Sequence, residues 1–448
     1  MGAEAAVAKV LTPMPSVYST ARHRVLMTTD TVSDVWPYAI ELSKALIARG
    51  HAVALAAMGG MPSREQQREV AAVPGLALHA SAYKLAWMDE PWEDMRAAGK
   101  WLLNLARDLR PTIVHLNGFG HADLSWPAPV ITVAHSCVLA WWRAVHGAPP
   151  PPAWLRYRQC VEASLRASDL LVAPTYATLR SLERHYGTHG GTRVIAHGRS
   201  ASAEQNAAKG PWIFSSARVD DAGSNGQALA NIAAKLSWPV YLGGDTSHHN
   251  SNSGGNAIDN VRMLGQLGNA QWRRWLAHTS IYSLPSRYEP SGVSILDAAL
   301  ARCALVLGDI ESLRELWDGA ALFVAPDDEQ TLARTLQQLI DDEVLRERYA
   351  ALALRRAQMY TPANMAESYL CAYNDLAAPR GITTSSAQPQ RATLVQLSAP
   401  TFGVRQEERH GNAAFPHVWN REPGRHHDQV IAWHGRGRSH RGGRRPDP

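Results

Sequence analysis

Lysine is scarce in this chain. Six of its 45 cationic residues are lysines (Lys9, Lys44, Lys84, Lys100, Lys209 and Lys235), and none follows Lys235. Cysteine is scarcer: Cys137, Cys160, Cys303 and Cys371 lie far apart in apolar contexts, with no CxxC pair. That spacing argues against a zinc site or a disulfide framework and fits a reducing compartment. Long apolar runs are missing as well. The longest, near 130–142, is interrupted by Thr132, His135 and Ser136, and it falls short of the roughly 20 residues that cross a bilayer. Residues 1–22 contain no apolar core of signal-peptide kind. These absences predict a cytoplasmic protein, with peripheral membrane contact left open. No self-similarity occurs at the spacings of repeat proteins.

What is present is enough for a large core. The chain has 448 residues, 45% of them apolar, which at roughly 100–200 residues per domain predicts two or three domains. The net charge of +5 is unevenly placed: residues 380–448 carry 11 arginines against 5 acids, so the preceding 379 residues sum to −1. A near-neutral body argues against a nucleic-acid-binding surface there. The Arg/Gly-rich end, 436–445, reads as a disordered tail that either is merely solvated or touches nucleic acid or anionic lipid.

Short apolar runs alternate with amphipathic stretches. Strands are expected at 24–27, 52–57, 76–79, 113–116, 130–134, 170–173 and 193–196, with helices at 35–49, 92–109, 154–167 and 176–186 between them. Strand–helix alternation of this kind predicts parallel sheets covered by helices on both faces. Residues 199–210 break the pattern, and it then restarts. Strands follow at 212–216, 240–243, 261–264, 281–284 and 304–307, with helices at 227–236, 270–278 and from Gly292. Three closing helices are expected at 329–340, 345–359 and 363–376, and 246–256 reads as a loop. The fold class is therefore α/β: two doubly wound domains facing across a cleft. Ligands bind at the carboxyl ends of such strands.

The segment richest in chemistry is Pro285-Ser286-Arg287-Tyr288-Glu289-Pro290-Ser291-Gly292-Val293-Ser294-Ile295-Leu296-Asp297. It follows a strand and opens a helix. Pro290 suits a first helical turn. Small residues there let backbone N–H groups approach an anion, which the helix dipole favours. Glu289 precedes that N-terminus, and Asp297 lies eight residues on, about two helical turns along. Two carboxylates so placed could hold sugar hydroxyls at two points, or simply cap and solvate the helix.

This segment resembles the EPFG…E motif of glycosyltransferase family 4, in which two carboxylates are separated by seven residues. Other segments resemble the family in the same order: His23-Arg24-Val25-Leu26-Met27 its first strand, Tyr38-Ala39-Ile40-Glu41-Leu42 its first helix, Pro111-Thr112-Ile113-Val114-His115 its "PDVVH" strand, and Ser168-Asp169-Leu170-Leu171-Val172-Ala173-Pro174-Thr175 its "ADLVVAPT" strand. Leu242-Gly243-Gly244-Asp245 and Leu264-Gly265 resemble donor-side loops. The likeness covers 24–376.

The resemblance implies a GT-B fold with an acceptor domain at 23–200, a donor domain at 201–358 and a closing helix at 359–379, between an N-terminal extension (1–22) and the tail (380–448). It also implies retaining, metal-independent transfer of a sugar from a nucleotide diphosphate-sugar to a sugar, lipid or small-molecule acceptor, without a cofactor. Glu289 would contact the donor sugar, Asp297 the ribose, and the N–H groups of Ser291, Gly292, Val293 and Ser294 the phosphate. Arg218 matches the arginine that neutralises the leaving diphosphate, and His135 the active-site histidine. Gly243 and Gly265 fall in donor loops. His135 ends an apolar strand, so a core role is the competing reading. We assign Trp36 to the acceptor pocket because it adjoins the first loop.

Two positions depart from the pattern. Ser33-Asp34 stands where the family has Gly-Gly, placing side chains and a carboxylate beside the expected diphosphate. Ser224 stands where the family has a lysine, and a hydroxyl does not neutralise a phosphate. One such contact is worth about 10²–10³ in rate. These departures motivate a second reading: a catalytically impaired homologue that binds nucleotide or sugar as a regulator or partner subunit. A third, an interaction protein acting through its basic tail, rests on 380–448 alone.

Overall fold

The alternation becomes two separate parallel sheets in the computed structural model, which describes residues 22–201, 207–219, 221–244 and 261–378. The expected loop at 246–256, the basic tail and all but the last residue of the N-terminal extension lie outside the described residues.

The first half runs β1 (Arg24–Asp30), α1 (Val35–Ile47), β2 (Ala52–Met58), α2 (Arg64–Ala71), β3 (Ala77–Ala80), α3 (Trp92–Leu109), β4 (Ile113–Leu116), β5 (Val130–Val133), α4 (Val138–His146), α5 (Leu155–Ala167), β6 (Leu170–Ala173), α6 (Tyr176–Tyr186) and β7 (Thr192–Val194). Its seven strands lie in the order β3-β2-β1-β4-β5-β6-β7. The second half runs β8 (Gly210–Ser215), α7 (Gly226–Ile232), β9 (Val240–Gly243), β10 (Val261–Gly265), α8 (Asn269–His278), β11 (Thr279–Leu284), α9 (Val293–Leu300), β12 (Ala304–Gly308), α10 (Glu311–Trp317), β13 (Leu322–Val324), α11 (Glu329–Asp341), α12 (Glu343–Ala357) and α13 (Pro362–Ala377). Its six strands lie in the order β10-β9-β8-β11-β12-β13. Every strand pair is parallel.

The central strands β4, β5, β6, β11 and β12 are buried along their whole length. Helices cover both faces of each sheet, and these strands carry no Asp, Glu, Lys or Arg. Each half has its own core, around Ile213, Phe214, Ile281 and Leu305 in the second and around Val25, Leu42, Leu55 and Ile131 in the first. Helix α13 belongs by contact to the first core. It packs on α1 and inserts Met365, Tyr369 and Tyr373 there.

Four elements have no counterpart in the sequence reading: α2, α4, α10 and β13. Helix α2 buries only Val70, so it carries almost no apolar periodicity. A capping box holds it, with Gln66 N donating to Ser63 Oγ at 3.1 Å and Ser63 N to Gln66 Oε1 at 2.9 Å. The helix expected at 227–236 ends at Ile232 and continues as a 3₁₀ turn, Ala233–Lys235. Among the described residues no helix is long and apolar enough to cross a membrane.

Candidate active site

Parallel strands put their carboxyl ends on one side, and the loops leaving β1, β5, β8 and β11 carry most of the expected site residues. On the second sheet, the turn after β8 and the loop after β11 are bound together. Arg287 N and Tyr288 N both donate to Gly223 O, at 2.9 and 3.2 Å. Asn225 anchors the same junction, donating from Nδ2 to Pro285 O at 2.9 Å and to Pro326 O at 2.8 Å.

Arg218 lies in the first of these turns, its side chain 34% exposed and its Nη2 at 3.9 Å from Asp221 Oδ2. Gly244 leaves room for the arginine stem: a Cβ there would stand 2.7 Å from Arg218 Cγ. Ser224, at the expected lysine position, is committed to the turn itself. Its Oγ accepts from Arg218 N at 3.1 Å and donates to Arg218 O and Asp221 O at 3.4 and 3.2 Å. Gly243 ends β9 in the core, and Gly265, at φ +68°, closes β10, its carbonyl accepting from Gly244 N at 3.0 Å.

Glu289 folds onto the helix that follows it. Its Oε1 accepts from Ser291 N at 3.1 Å, Gly292 N at 2.8 Å and Ser291 Oγ at 3.3 Å. Two of the four N–H groups expected to meet phosphate are therefore occupied by this carboxylate. Burial raises its pKa, and these hydrogen bonds pull it back. Gly292 opens the helix at φ +66°, a left-handed conformation that glycine adopts without strain. Val293 is buried beneath the helix start. Ser294 Oγ sits in a hydroxyl cluster, receiving bonds from Ser216 Oγ at 3.2 Å and Tyr282 OH at 3.0 Å.

On the first sheet, the loop after β1 closes on itself. Asp30 accepts from Val32 N, Ser33 N and Ser33 Oγ at 3.0, 2.7 and 2.7 Å, and Ser33 Oγ accepts from Val35 N at 3.2 Å. Asp34 precedes α1 but makes no capping bond with its side chain. Crowding by protein pushes its carboxyl up to about 6; the charges of Glu289, Asp297 and Asp30 add to this, and Arg199 opposes it. Ser33 and Asp34 are both exposed to solvent, and Asp34 is near enough to Glu289 and Asp297 for their charges to raise it.

His135 stands in a buried network whose tautomers can be assigned. Asn117 Nδ2 donates to Thr28 O at 2.7 Å, so Oδ1 is the accepting end of that amide. It receives His115 Nε2 at 3.1 Å and His135 Nε2 at 2.9 Å, so both nitrogens carry protons. Burial lowers the pKa of His135 well below the ordinary value, with His197 and His115 adding; the ring is neutral and its Nδ1 is an acceptor. That acceptor faces His197 Nε2 at 3.2 Å. Burial holds His115 and His197 at about 3, and Tyr373 OH satisfies His115 Nδ1 at 2.8 Å. Both ring nitrogens of His135 therefore have protein partners. His197 Nδ1 is buried without a hydrogen-bond partner among the described residues.

Two expected contacts are placed otherwise. Trp36 is 4% exposed and part of the first core, and its Nε1 donates to Glu69 Oε2 at 2.8 Å. Asp297, expected to meet a ribose, instead accepts from Arg199, Nε to Oδ1 at 2.8 Å and Nη2 to Oδ2 at 3.0 Å, and from Trp272 Nε1 at 3.3 Å. Arg199 lies where the sequence pattern breaks, and no periodicity distinguishes it from a solvated linker residue. Tyr288 was equally silent. Its hydroxyl accepts from Cys137 N at 2.9 Å and pairs with Ser136 Oγ at 3.4 Å, seating the Glu289 loop beside His135. Among the described residues no group of three or more His, Cys, Asp or Glu is placed to hold a metal ion.

Comparison with known proteins agrees with this architecture. Sequence profiles of Glycosyltransferase Family 4 and of Glycosyl transferases group 1 match residues 35–202 and 226–342. A phosphatidyl-myo-inositol mannosyltransferase of Mycobacterium leprae is 28% identical over 137 residues. That stretch is 30% of this chain, and the match spans only 36% of the mannosyltransferase. Sucrose-phosphate synthase from Thermosynechococcus elongatus superposes with a TM-score of 0.65 at 16% identity, over 79% of this chain and 99% of that one. The Anabaena protein Alr3699/HepE, solved in complex with UDP-glucose, superposes with a TM-score of 0.63 at 14% identity, over 79% and 100%. At such identities the likeness establishes the GT-B fold.

Proposed function

The chain belongs to glycosyltransferase family 4, and on that premise we propose that it moves a sugar, with retention and without a metal or cofactor, from a nucleotide diphosphate-sugar to a sugar, lipid or small-molecule acceptor. The observation that carries this reading is the pairing of the Arg218 turn with the Glu289 loop through Gly223 O. It brings a cation and a helix N-terminus to one strand end, where a diphosphate would lie.

In this reading the bond between the anomeric carbon and the diphosphate oxygen breaks first, and positive charge builds on the sugar. Arg218 and the remaining N–H groups of Val293 and Ser294 stabilise the departing phosphate charge, the largest expected contribution to rate. The acceptor hydroxyl bonds to the anomeric carbon on the face being vacated and gives its proton to the leaving phosphate oxygen. Glu289 Oε1 is held by the helix, which presents the rest of the carboxylate to a donor hydroxyl. His135, with both nitrogens engaged, orients the Ser136 loop. Four cysteines without disulfides support a cytoplasmic setting, with peripheral membrane contact compatible with a lipid acceptor.

The test is release of nucleoside diphosphate from UDP-glucose, GDP-mannose and ADP-glucose, with candidate acceptors. Arg218→Ala should lower turnover by about 10²–10³; equal turnover contradicts the assignment. Asp34, facing Glu289, and Ser224, folded into its turn, favour the second reading, an impaired homologue that binds donor without turnover. Binding without release from any donor selects it.

A further inference from the structure

Helix α2 is weakly rooted in its own half. It buries Val70 alone, and among the described residues no element packs closely along its backbone. What ties it down is polar. Besides its capping box, Gln66 Nε2 donates to Thr31 O at 3.0 Å in the loop after β1, and Trp36 Nε1 donates to Glu69 Oε2 at 2.8 Å. Segments with so few buried apolar contacts open locally at low cost.

The same helix reaches the other half. Glu69 Oε1 accepts from Asn269 Nδ2 at 2.7 Å, at the first residue of α8. Arg273 Nε donates to Asn269 Oδ1 at 3.2 Å, which turns the donor end of that amide toward α2. One turn earlier on α2, Glu65 lies against Gly268, where a Cβ would stand 2.9 Å from Glu65 Cδ. Two carboxylates of the first half thus meet the N-terminal end of α8, whose own first turn has no acid and whose dipole favours them. Helix α8 is itself fixed from beneath, with Arg273 Nη2 at 3.6 Å from the buried Glu41 of α1.

Elsewhere the halves are joined more firmly. Helices α2 and α8 follow β2 and β10, toward one edge of each sheet, whereas α6 and α10 follow β6 and β12, toward the other. At that other edge Glu315 binds the first two N–H groups of α6, and the hydroxyls of Thr175 and Thr178 donate to Pro290 O at 3.4 and 3.2 Å. Between the edges Arg199 joins Asp297 to Glu41. Of these joints, the one at α2 alone rests on an element that can move without unpacking a core. We propose that α2 is a lid: when Glu65 and Glu69 leave the start of α8, it swings off this edge of the cleft, admits ligand past the loop after β1, and closes again. The lid stands on these contacts; that its ligand is a nucleotide rests on the donor-site reading above.

Amide exchange of the full chain reads the lid without any ligand. Residues 64–71 should exchange at least about tenfold faster than α1. Asn269→Ala should speed 64–71 by about tenfold more, the scale of one hydrogen bond to a charged group, with α6 unchanged. Exchange in 64–71 as slow as in α1, or unmoved by Asn269→Ala, overturns the proposal. Gating is read with Glu65→Cys and Gly268→Cys combined, a pair that oxidation ties across the latch and reduction frees. Wild-type protein oxidised in the same way is the control, because its own four cysteines are free. UDP, GDP and ADP are the probes. The nucleotide that binds the reduced form should associate at least about tenfold more slowly with the cross-linked form. Equal association rates overturn the lid, and so does a pair that does not cross-link. Binding of no nucleotide by the reduced form or the wild type overturns the donor-site reading alone, and the exchange comparison then decides the lid.

Discussion

At Asp34 a carboxyl held up to about 6 faces Glu289, Asp297 and Asp30, with Arg199 the opposing charge. An unfolded aspartate titrates near 3.9, so between about 4 and 6 the folded chain binds more protons than the unfolded one. By linkage the carboxyl's unfavourable contribution is fully present above about 6 and is relieved as pH falls toward 4. The same sign governs an anionic ligand. Affinity for UDP-glucose, whose diphosphate diester does not titrate in this range, should rise as pH falls from 7.5 to 5.5, and Asp34→Asn should bind more tightly at 7.5 and flatten that dependence. A parallel rise in both proteins would show that Asp34 is not beside the phosphate. Ser224 gives a stability prediction. Ser224→Ala removes the acceptor of Arg218 N–H and two donated contacts, worth about 1 kcal/mol, and should lower the thermal midpoint by about 2–4 °C. Glu289 and Arg218 could be singled out in the sequence because motif order carries them. Arg199, His197 and Tyr288 could not, because each acts through a partner distant in the chain, 98, 62 and 151 residues away respectively.

Helix α6 shows how one element is completed by another. Its first N–H groups, at Tyr176 and Ala177, donate to Glu315 Oε1 and Oε2 at 2.7 and 2.9 Å, so a carboxylate on α10 satisfies donors that a helix cannot satisfy itself. Thr175 adds a conventional cap, its Oγ1 accepting from Thr178 N at 3.0 Å. Glu315→Ala should cost about 0.5–2 kcal/mol, read as faster amide exchange at the start of α6 while the distant β2 is unchanged. Exchange unaltered at Tyr176 and Ala177 would contradict this role. The same two elements mark what periodicity could reveal. Helix α6 was legible from its apolar spacing, as were the buried strands β4, β6 and β9. Helix α10 has seven residues and β13 three, too few to repeat a period. Helix α2 has eight residues but one buried side chain; only its Ser63–Gln66 spacing could have announced it.

Across the whole molecule, Arg199 joins α9 of the second half to α1 of the first, between Asp297 and Glu41. Arg199→Met leaves buried carboxylates without their partner and should destabilise the fold by about 3–5 kcal/mol, whereas Arg199→Met with Asp297→Leu should recover much of that loss. A double variant no more stable than the single would show that the pair is not energetically coupled. The central claim is that the second sheet binds a nucleotide diphosphate between the Arg218 turn and the start of α9. Calorimetric titration of the full chain with UDP, GDP and ADP, beside Arg218→Ala, tests it most directly. The account predicts micromolar binding of one nucleotide, weakened at least about tenfold in the variant, the scale of one charge-assisted contact. Binding of none, or equal binding by Arg218→Ala, would contradict it.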